Sequence, residues 1–438
     1  MTKKHLPPTH HSIEDLPEIL QTLFTTTANQ LALDTKFIKR KRALTGSSFA
    51  QTLVLGWLNR PAATLSDLAQ CTARCRTPIK PQSLNQRFTQ ESVDFMRQLL
   101  EKAVRSIVST HAPNPSVYAP FSAVILTDST VINLPAHWQD RYPGCGNQTG
   151  SSAGLKVQVS WDCKHGSLLG IELHAARDHD RTSSLAYDTP SGALVLRDLG
   201  YFKLSALSEA SSNNSSFISR TPVGSVFFDV DGTKLTQTEL LIDGSDRMVW
   251  LGKARVPARL VVLRLPEEVR ELRLERLRCE AKRRGQALSA KALLLAAWDI
   301  RVTNVSEERL TSSAVFALFR MRWQIELLFK LWKSVNLVDE SRSVQPHRVL
   351  SEIFGKLLGC VVQHWCILAC AWQLKARSLV RVARAVQAEV MMLFYALESV
   401  EALRVWVSRL ASVTVTGCEV QRRRGKPSAF QVLSGISP

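Results

Sequence analysis

The apolar and polar positions divide the chain into stretches of different period. Up to about residue 115 the apolar residues recur at helical spacing and Pro stays at boundaries, so this region is predicted to be mostly helical. In it Thr64 and Asp67 stand at capping-box spacing, Thr77-Pro-Ile-Lys-Pro81 breaks the pattern, and a second helical run follows from Gln82 to Phe88. Ser92 to Val108 continues as an amphipathic helix. At Ser122 the pattern changes to strands. Ala123-Val-Ile-Leu126 is a short apolar run ending in Thr127-Asp128-Ser129-Thr130. Leu155 to Trp161 alternates, turns at Lys164-His-Gly166 and returns through Leu168 to Leu173. The polar stretch Asp178 to Tyr187 has helical potential, and Ala193-Leu-Val-Leu196 then forms a strand that ends in Arg197-Asp198.

The next segment is longer than a crossover needs. Ser225 to Leu251 and Arg259 to Arg264 read as several strands with turns at Asp231-Gly and Asp243-Gly, which predicts an inserted β domain. Asp229-Val-Asp231 has the look of a metal-binding pair, but Asp231-Gly232 is a hairpin-turn signature and is read as a turn. Arg270 to Arg278 alternates in sign, as a solvated helix or ribbon does, and becomes basic at Lys282-Arg-Arg284. Leu293 to Asn304 is read as a strand returning to the core sheet, and Glu307 to Leu318 as a helix.

The run Phe319-Arg-Met-Arg-Trp-Gln-Ile-Glu-Leu-Leu-Phe-Lys-Leu-Trp-Lys333 has neither Gly nor Pro and is predicted to be a single helix. At about 100° per residue, Arg322, Glu326 and Lys333 fall within roughly 60° of Phe319, on one face. The other arc carries Leu327, Leu331, Leu328, Trp332 and Ile325 and is predicted to be buried. Taken alone, this is also the pattern of a surface helix with an Arg322/Glu326 pair at i,i+4. Residues 347 to 412 are helical and apolar, and the tail ends in the basic run Arg422-Arg-Arg-Gly-Lys426.

Composition narrows the class. The 438 residues, 45% of them hydrophobic, suffice for several units with a sizeable core, and the net charge of +18 points to a polyanionic partner, nucleic acid first. A basic cluster stands at Lys36, Lys39, Arg40, Lys41 and Arg42; solvated charge is its plain reading. The longest apolar run, Leu357 to Trp372, is interrupted by Gln363 and His364 and is short for a membrane span, so it reads as a core helix. No apolar signal region opens the chain, and the nine cysteines lack paired finger-like spacing, so a cytoplasmic, nucleoid-associated protein with reduced thiols is expected. The helical pair between residues 64 and 88 is compatible with a helix-turn-helix in which Gln82, Ser83, Asn85 or Arg87 reads DNA.

The spacing Phe319-x2-Arg322-x3-Glu326-x6-Lys333 resembles the Tyr-x2-Arg-x3-Glu-x6-Lys signature of a large group of bacterial insertion-sequence transposases. In that family the Glu is the third carboxylate of an Asp-Asp-Glu site, which demands two aspartates upstream at the ends of apolar strands. Asp128 and Asp198 stand there. Thr127-Asp-Ser-Thr-Val-Ile-Asn-Leu-Pro135 and Asp198-Leu-Gly-Tyr-Phe202 resemble the family's blocks around its two aspartates. An Asp after a strand is by itself more often a turn or cap residue; three blocks in the right order make the resemblance specific.

The implied fold class is α+β: a ribonuclease-H-like mixed sheet flanked by helices, interrupted by the inserted β domain, with helical N- and C-terminal regions. The expected divisions are 1–115 (helical, DNA-binding), 116–215 (first part of the catalytic core), 216–290 (inserted β domain), 291–345 (second part, with the signature helix) and 346–438 (helical region and basic tail). The resemblance implies that Asp128, Asp198 and Glu326 are catalytic and bind metal. Hard oxygen ligands suit Mg²⁺, with Mn²⁺ as a substitute. Two ions about 3.5 to 4 Å apart are expected, bridged by Asp128, with Asp198 and Glu326 completing one shell each. The implied reaction nicks the element end with water, uses the freed 3′-hydroxyl again, releases the element through a hairpin, and joins it to target DNA.

Arg322, Lys330 and Lys333 are candidates for holding phosphates. Trp298 and Trp323 are candidates for stacking a flipped base, with a core aromatic as the other reading. Phe319 departs from the signature: the ring is kept, and the hydroxyl that would bond a phosphate near the terminal base is lost, a loss of roughly 1 kcal/mol. The partners are double-stranded DNA, as terminal repeats and target, and a second copy of the chain on paired ends. Two other readings share these features. A catalytically silent DNA-binding repressor would be marked by a lost carboxylate, and none is lost; a related metal-dependent nuclease is separated only by the signature run.

Overall fold

A computed structural model describes residues 8–40, 43–111, 114–145, 153–373, 377–418, 432–433 and 435. Lys41, Arg42 and the tail run Arg422 to Lys426 lie outside the described residues. In chain order the elements begin with β1 (Thr9–Ser12), α1 (Leu16–Thr22), α2 (Ala28–Asp34), α3 (Gly46–Asn59), α4 (Leu65–Arg74), α5 (Pro81–Asn85), α6 (Gln90–Arg105) and β2 (Ser106–Ser109). Next come β3 (Val124–Leu134), β4 (Ala153–Asp162), β5 (Leu168–Ala175), β6 (Leu194–Arg197), α7 (Leu204–Ser212), β7 (Ser216–Ser219) and β8 (Phe227–Phe228). After these stand α8 (Gln237–Leu240), β9 (Asp246–Leu251), β10 (Val256–Arg264), α9 (Glu267–Arg284), α10 (Ala290–Leu295) and β11 (Trp298–Thr303). The chain closes with α11 (Ser312–Arg320), α12 (Trp323–Ser334), α13 (Pro346–Ala371), α14 (Leu379–Ala396) and α15 (Val400–Gly417).

The fold is α+β, and the described residues cluster into two compact units. Unit 1 takes residues within 1–113, 128–179 and 324–424; unit 2 takes those within 114–127 and 180–323, with the chain end. Strand β3 contributes to both. In unit 1 its neighbours are β4 and then β5, joined as an antiparallel hairpin. In unit 2 it pairs in parallel with β6 at Val124–Leu126, and β6 pairs in parallel with β7. A hairpin beside a first strand, with two parallel neighbours beyond it, is the ribonuclease-H-like order. From β7 the unit 2 sheet runs on antiparallel through β11, β10, β9 and β8. The strands of the inserted segment therefore extend the sheet, and the segment then adds the long helix α9, which settles Arg270–Arg278 as helical. Leu293–Leu295 lies in α10, capped by Ser289, so the returning strand begins only at Trp298. Asp180–Thr182 and Ser184–Ala186 are single 3-10 turns.

Unit 1 is built around α13, which passes between neighbours supplied by the N-terminal helices. Pro346 at its first position lacks an N–H that would have no partner there. From Val349 to Leu368 every residue is buried, and the helix packs on α3 and α6. Gly355 allows the close approach to α3: a Cβ there would stand 3.0 Å from the Trp57 ring. Pro346–Ala371 is the single helix among the described residues long and apolar enough to cross a membrane, and 94% of its apolar window is buried inside the protein. The expected core helix is thus present.

A polar latch fixes the β4–β5 hairpin to α13. Gly166, in the turn with φ +77°, offers its carbonyl to His364 Nε2 at 2.6 Å and to Trp161 Nε1 at 3.0 Å. Any side chain at 166 would collide, since a Cβ would lie 2.4 Å from Leu368 Cδ2. Burial pushes the His364 imidazole down to about 4, against the favourable bond to Gly166. Above the ordinary histidine value near 6.5 both folded and unfolded imidazoles are neutral; between there and about 4 the unfolded chain takes up a proton that the folded one refuses. Stability should therefore fall as the pH drops through this window, by on the order of 1.4 kcal/mol per unit at the steepest. Urea unfolding of wild type and His364→Gln across the window checks this: the wild-type curve should be the steeper, and parallel curves would remove His364 as the cause.

Unit 2 has its own core, with Phe217, Leu251, Ala258, Leu260 and Val302 under α7 residues Leu207 and Ala210. Buried Arg259 of β10 locates the start of α11: it donates to Asp246 Oδ1 at 2.6 Å and to the Leu310 carbonyl at 2.7 Å. Asp246 in turn accepts from Ser312 in the first turn of α11.

Two expectations for the signature run need correction. Phe319 to Lys333 is not one helix: α11 ends at Arg320, Met321 and Arg322 form a turn, and α12 starts at Trp323. The bonds Met321 N to Leu318 O (2.9 Å) and Arg322 N to Phe319 O (3.2 Å) tighten the chain there. Each segment buries its own apolar set, Leu318 and Phe319 in the first, Ile325, Leu328, Leu331 and Trp332 in the second. A straight helix cannot serve both. Leu327, predicted buried, is 38% exposed.

Candidate active site

Asp198 stands at a strand end and Glu326 at a helix start, but the strand expected to end at Asp128 runs on through it to Leu134. Asp128 lies within β3, just past its buried residues Val124 to Thr127, half-buried, and its Oδ1 accepts from Ser129 N at 2.8 Å. Glu326 is half-buried in the first turn of α12, where the exposed N–H end of the helix favours an anion. Lys333, in the last turn of α12, donates to the Val131 carbonyl of β3 at 2.9 Å and lies 3.8 Å from Asp339 Oδ2. In unit 1, then, a lysine of the signature ties the helix that bears Glu326 to the strand that bears Asp128.

The loop carrying Asp339 is held from below. Lys356 of α13, 3% exposed, donates to the carbonyls of Leu337 (2.9 Å) and Glu340 (2.7 Å) and pairs with Glu352 Oε1 at 2.8 Å. Ser341 donates to the other Glu352 oxygen at 2.8 Å. Leu337 sits at φ 47°, a left-handed conformation that a Leu adopts only under such constraint.

In unit 2 Asp198 directly follows β6 and opens the 3-10 turn Leu199–Tyr201. Its Oδ1 is buried and accepts no hydrogen bond; Arg220 Nη1 lies 3.6 Å from it, and Arg322 Nη2 lies 3.6 Å from Oδ2. These are ion pairs too long for hydrogen bonds. A buried carboxylate oxygen without a direct partner costs free energy. The donor set of Asp and Glu oxygens fits a hard divalent ion. Among the described residues, no group of three or more His, Cys, Asp or Glu side chains is arranged to hold a metal.

The other predicted residues differ in access. Trp323 is 48% exposed and Lys330 is exposed. Trp298 is half-buried and packs against the unit 2 core, with its carbonyl held by Arg273 Nη1 at 2.9 Å. Phe319 is buried at 7% exposure, and the Arg301 guanidinium covers its ring at 4.1 Å. Of the helical pair near the N-terminus, α4 has its Thr64 capping box, and α5 is only five residues long with Gln82 and Ser83 exposed and Asn85 and Arg87 half-buried. Sequence reading missed Arg220, Asp299, Arg301, Asp339 and Lys356. Net positive charge was the only signal for the arginines, and it does not say which of many will meet.

The sequence model described as "Transposase DDE domain" matches residues 119–361, more than half of the chain. This span includes all three carboxylates. The chain is 25% identical over 442 residues to the transposase for insertion sequence element IS231F of Bacillus thuringiensis subsp. israelensis, covering 93% of this chain and 92% of that one. It is 27% identical over 365 residues to the transposase for insertion sequence element IS1151 of Clostridium perfringens, covering 76% of each. A solved structure of piggyBac transposase in a synaptic complex with hairpin DNA aligns with a TM-score of 0.46 at 10% identity, covering 94% of this chain and 87% of that one.

Proposed function

The chain belongs to the transposase DDE-domain family and is a DNA transposase of the bacterial insertion-sequence kind, and on that premise we propose that Asp128, Asp198 and Glu326 are its catalytic carboxylates. The observation that carries this reading is the Asp198 carboxylate, with an oxygen buried and without a hydrogen bond directly after a core strand. Arg220 and Arg322 offset its charge from 3.6 Å without a hydrogen bond, so the oxygen still lacks a direct ligand, and the family generally works with a divalent metal.

The proposed ion is Mg²⁺, held by Asp128, Asp198 and Glu326. The chemistry it supplies when bound is activation of the attacking oxygen and stabilisation of the leaving one. This chain's own residues do the rest. Lys333 keeps the Glu326 helix against β3 and, with Arg322 and Lys330, holds DNA phosphates. The exposed ring of Trp323 stacks a displaced base. Water attacks the phosphodiester at the element end, the bond to the 3′-oxygen breaks, and the freed 3′-hydroxyl attacks the opposite strand to close a hairpin. Reopening that hairpin and joining the 3′-end to target DNA complete a cut-and-paste cycle. Two copies on paired ends carry it out at the nucleoid.

The test is cleavage of a labelled duplex bearing the element's own terminal repeat, with Mg²⁺ or EDTA, by wild type and Asp128→Ala. Cutting at the repeat boundary that needs Mg²⁺ and disappears in the variant is expected, with a hairpin among the products. Specific binding without cutting by wild type would favour the silent repressor.

A further inference from the structure

Four guanidinium groups meet two carboxylates in unit 2. Arg220, the residue after β7, and Arg322 each approach Asp198 at 3.6 Å. On β11, the strand next to β7, Arg301 pairs with Asp299, and Arg273 of α9 lies 3.9 Å from the same carboxylate. The cluster therefore carries two positive charges in excess. Arg301 is 8% exposed, its Nε is buried without a hydrogen-bond partner, and its guanidinium carbon lies 4.1 Å from the centre of the Phe319 ring. Buried guanidinium donors are ordinarily met, and like charges this close repel one another. Burial, with the neighbouring charges of Arg220 and Arg273, pulls Arg301 down to about 10 despite Asp299 and Asp198, so it stays charged at neutral pH. An oxyanion beside the cluster would offset the excess charge.

We propose that Arg220, Arg273 and Arg301 form a phosphate-binding site for the DNA strand that passes Asp198. The inference rests on the transposase reading and adds three residues to the contacts made by Arg322, Lys330 and Lys333. Arg220 is the member that exchanges partners. Its side chain is 43% exposed and its ion pair with Asp198 is long, so leaving that carboxylate costs little. Arg301 is the fixed member, buried over Phe319 and paired with Asp299. In the resembled signature a Tyr stands at 319; here the donor to phosphate at this ring is the guanidinium lying over it.

The experiment is fluorescence anisotropy with a labelled terminal-repeat duplex in EDTA, at a series of KCl concentrations, so that binding is read without cutting. Arg220→Ala should lower the slope of log affinity against log salt by about one, the loss of one phosphate contact, and Arg220→Lys should keep it. The same drop should persist in an Asp198→Asn background, where a mere counter-ion to Asp198 would have nothing left to balance. Arg404→Ala, a paired arginine on α15, is the control with an unchanged slope. An unchanged slope for Arg220→Ala, or a drop that vanishes with Asp198→Asn, overturns the site while leaving the transposase reading standing. Absence of any binding by wild type overturns both.

Discussion

Glu326→Gln should reduce cleavage of the terminal-repeat duplex to less than about one-thousandth of wild type, a loss on the order of 4 kcal/mol in the barrier, with DNA binding nearly unchanged. The substitution keeps size and helix geometry, since Glu326 sits in the first turn of α12 beyond the Met321-Arg322 turn. It removes one negative charge from the proposed metal-binding set. A carboxamide offers one oxygen where the carboxylate offered two, and no charge to balance a divalent ion. Gel-shift affinity in EDTA and single-turnover cutting in Mg²⁺ separate the two effects. Cutting within tenfold of wild type would place the third carboxylate elsewhere.

Lys356→Met should destabilise the protein by about 3 to 5 kcal/mol, the loss seen when one partner of a buried ion pair is removed. Glu352 would be left charged and buried, and the carbonyls of Leu337 and Glu340 would lose their donor. Lys356→Met with Glu352→Leu should recover much of the loss, because a pair replaced by apolar residues leaves no lone charge. Urea midpoints of the three proteins measure this. A single variant as stable as wild type would show that the loop holds its shape without Lys356. The consequence reaches the site, because Asp339 on that loop faces Lys333.

What the sequence made legible follows from how local each signal is. The strands before Asp128 and Asp198 were readable because a short apolar run such as Val124 to Leu126, or Leu194 to Leu196, announces a buried strand; each aspartate stands two positions on, and the continuation of β3 past Asp128 to Leu134 was not foreseen. The helical character of both halves of the signature run was readable from composition. The break at Met321-Arg322 was not, since neither Gly nor Pro marks it and it arises from two apolar sets that bury in different surroundings. For the same reason Phe319 read as a DNA-facing ring and is instead buried under Arg301. Leu293 to Ala297 misled because a short apolar run fits a strand or a helix equally, and the Ser289 cap decided it. Arg220, Arg273 and Arg301 come from a strand exit, a helix and a strand far apart in the chain. Only the fold brings them to Asp198 and Asp299.

The dependence of α13 on α3 and α6 has a consequence for synthesis. Asn59 leaves the ribosome long before Pro346, and at ~5–20 residues per second that interval lasts on the order of tens of seconds. Throughout it, the faces of α3 and α6 that will cover α13, with Trp57 and Met96 among them, have no partner. The first hundred residues are therefore not a module that can be cut away or expressed alone with its surface satisfied. A nascent chain stalled before α13 should be held by chaperones or lost to aggregation.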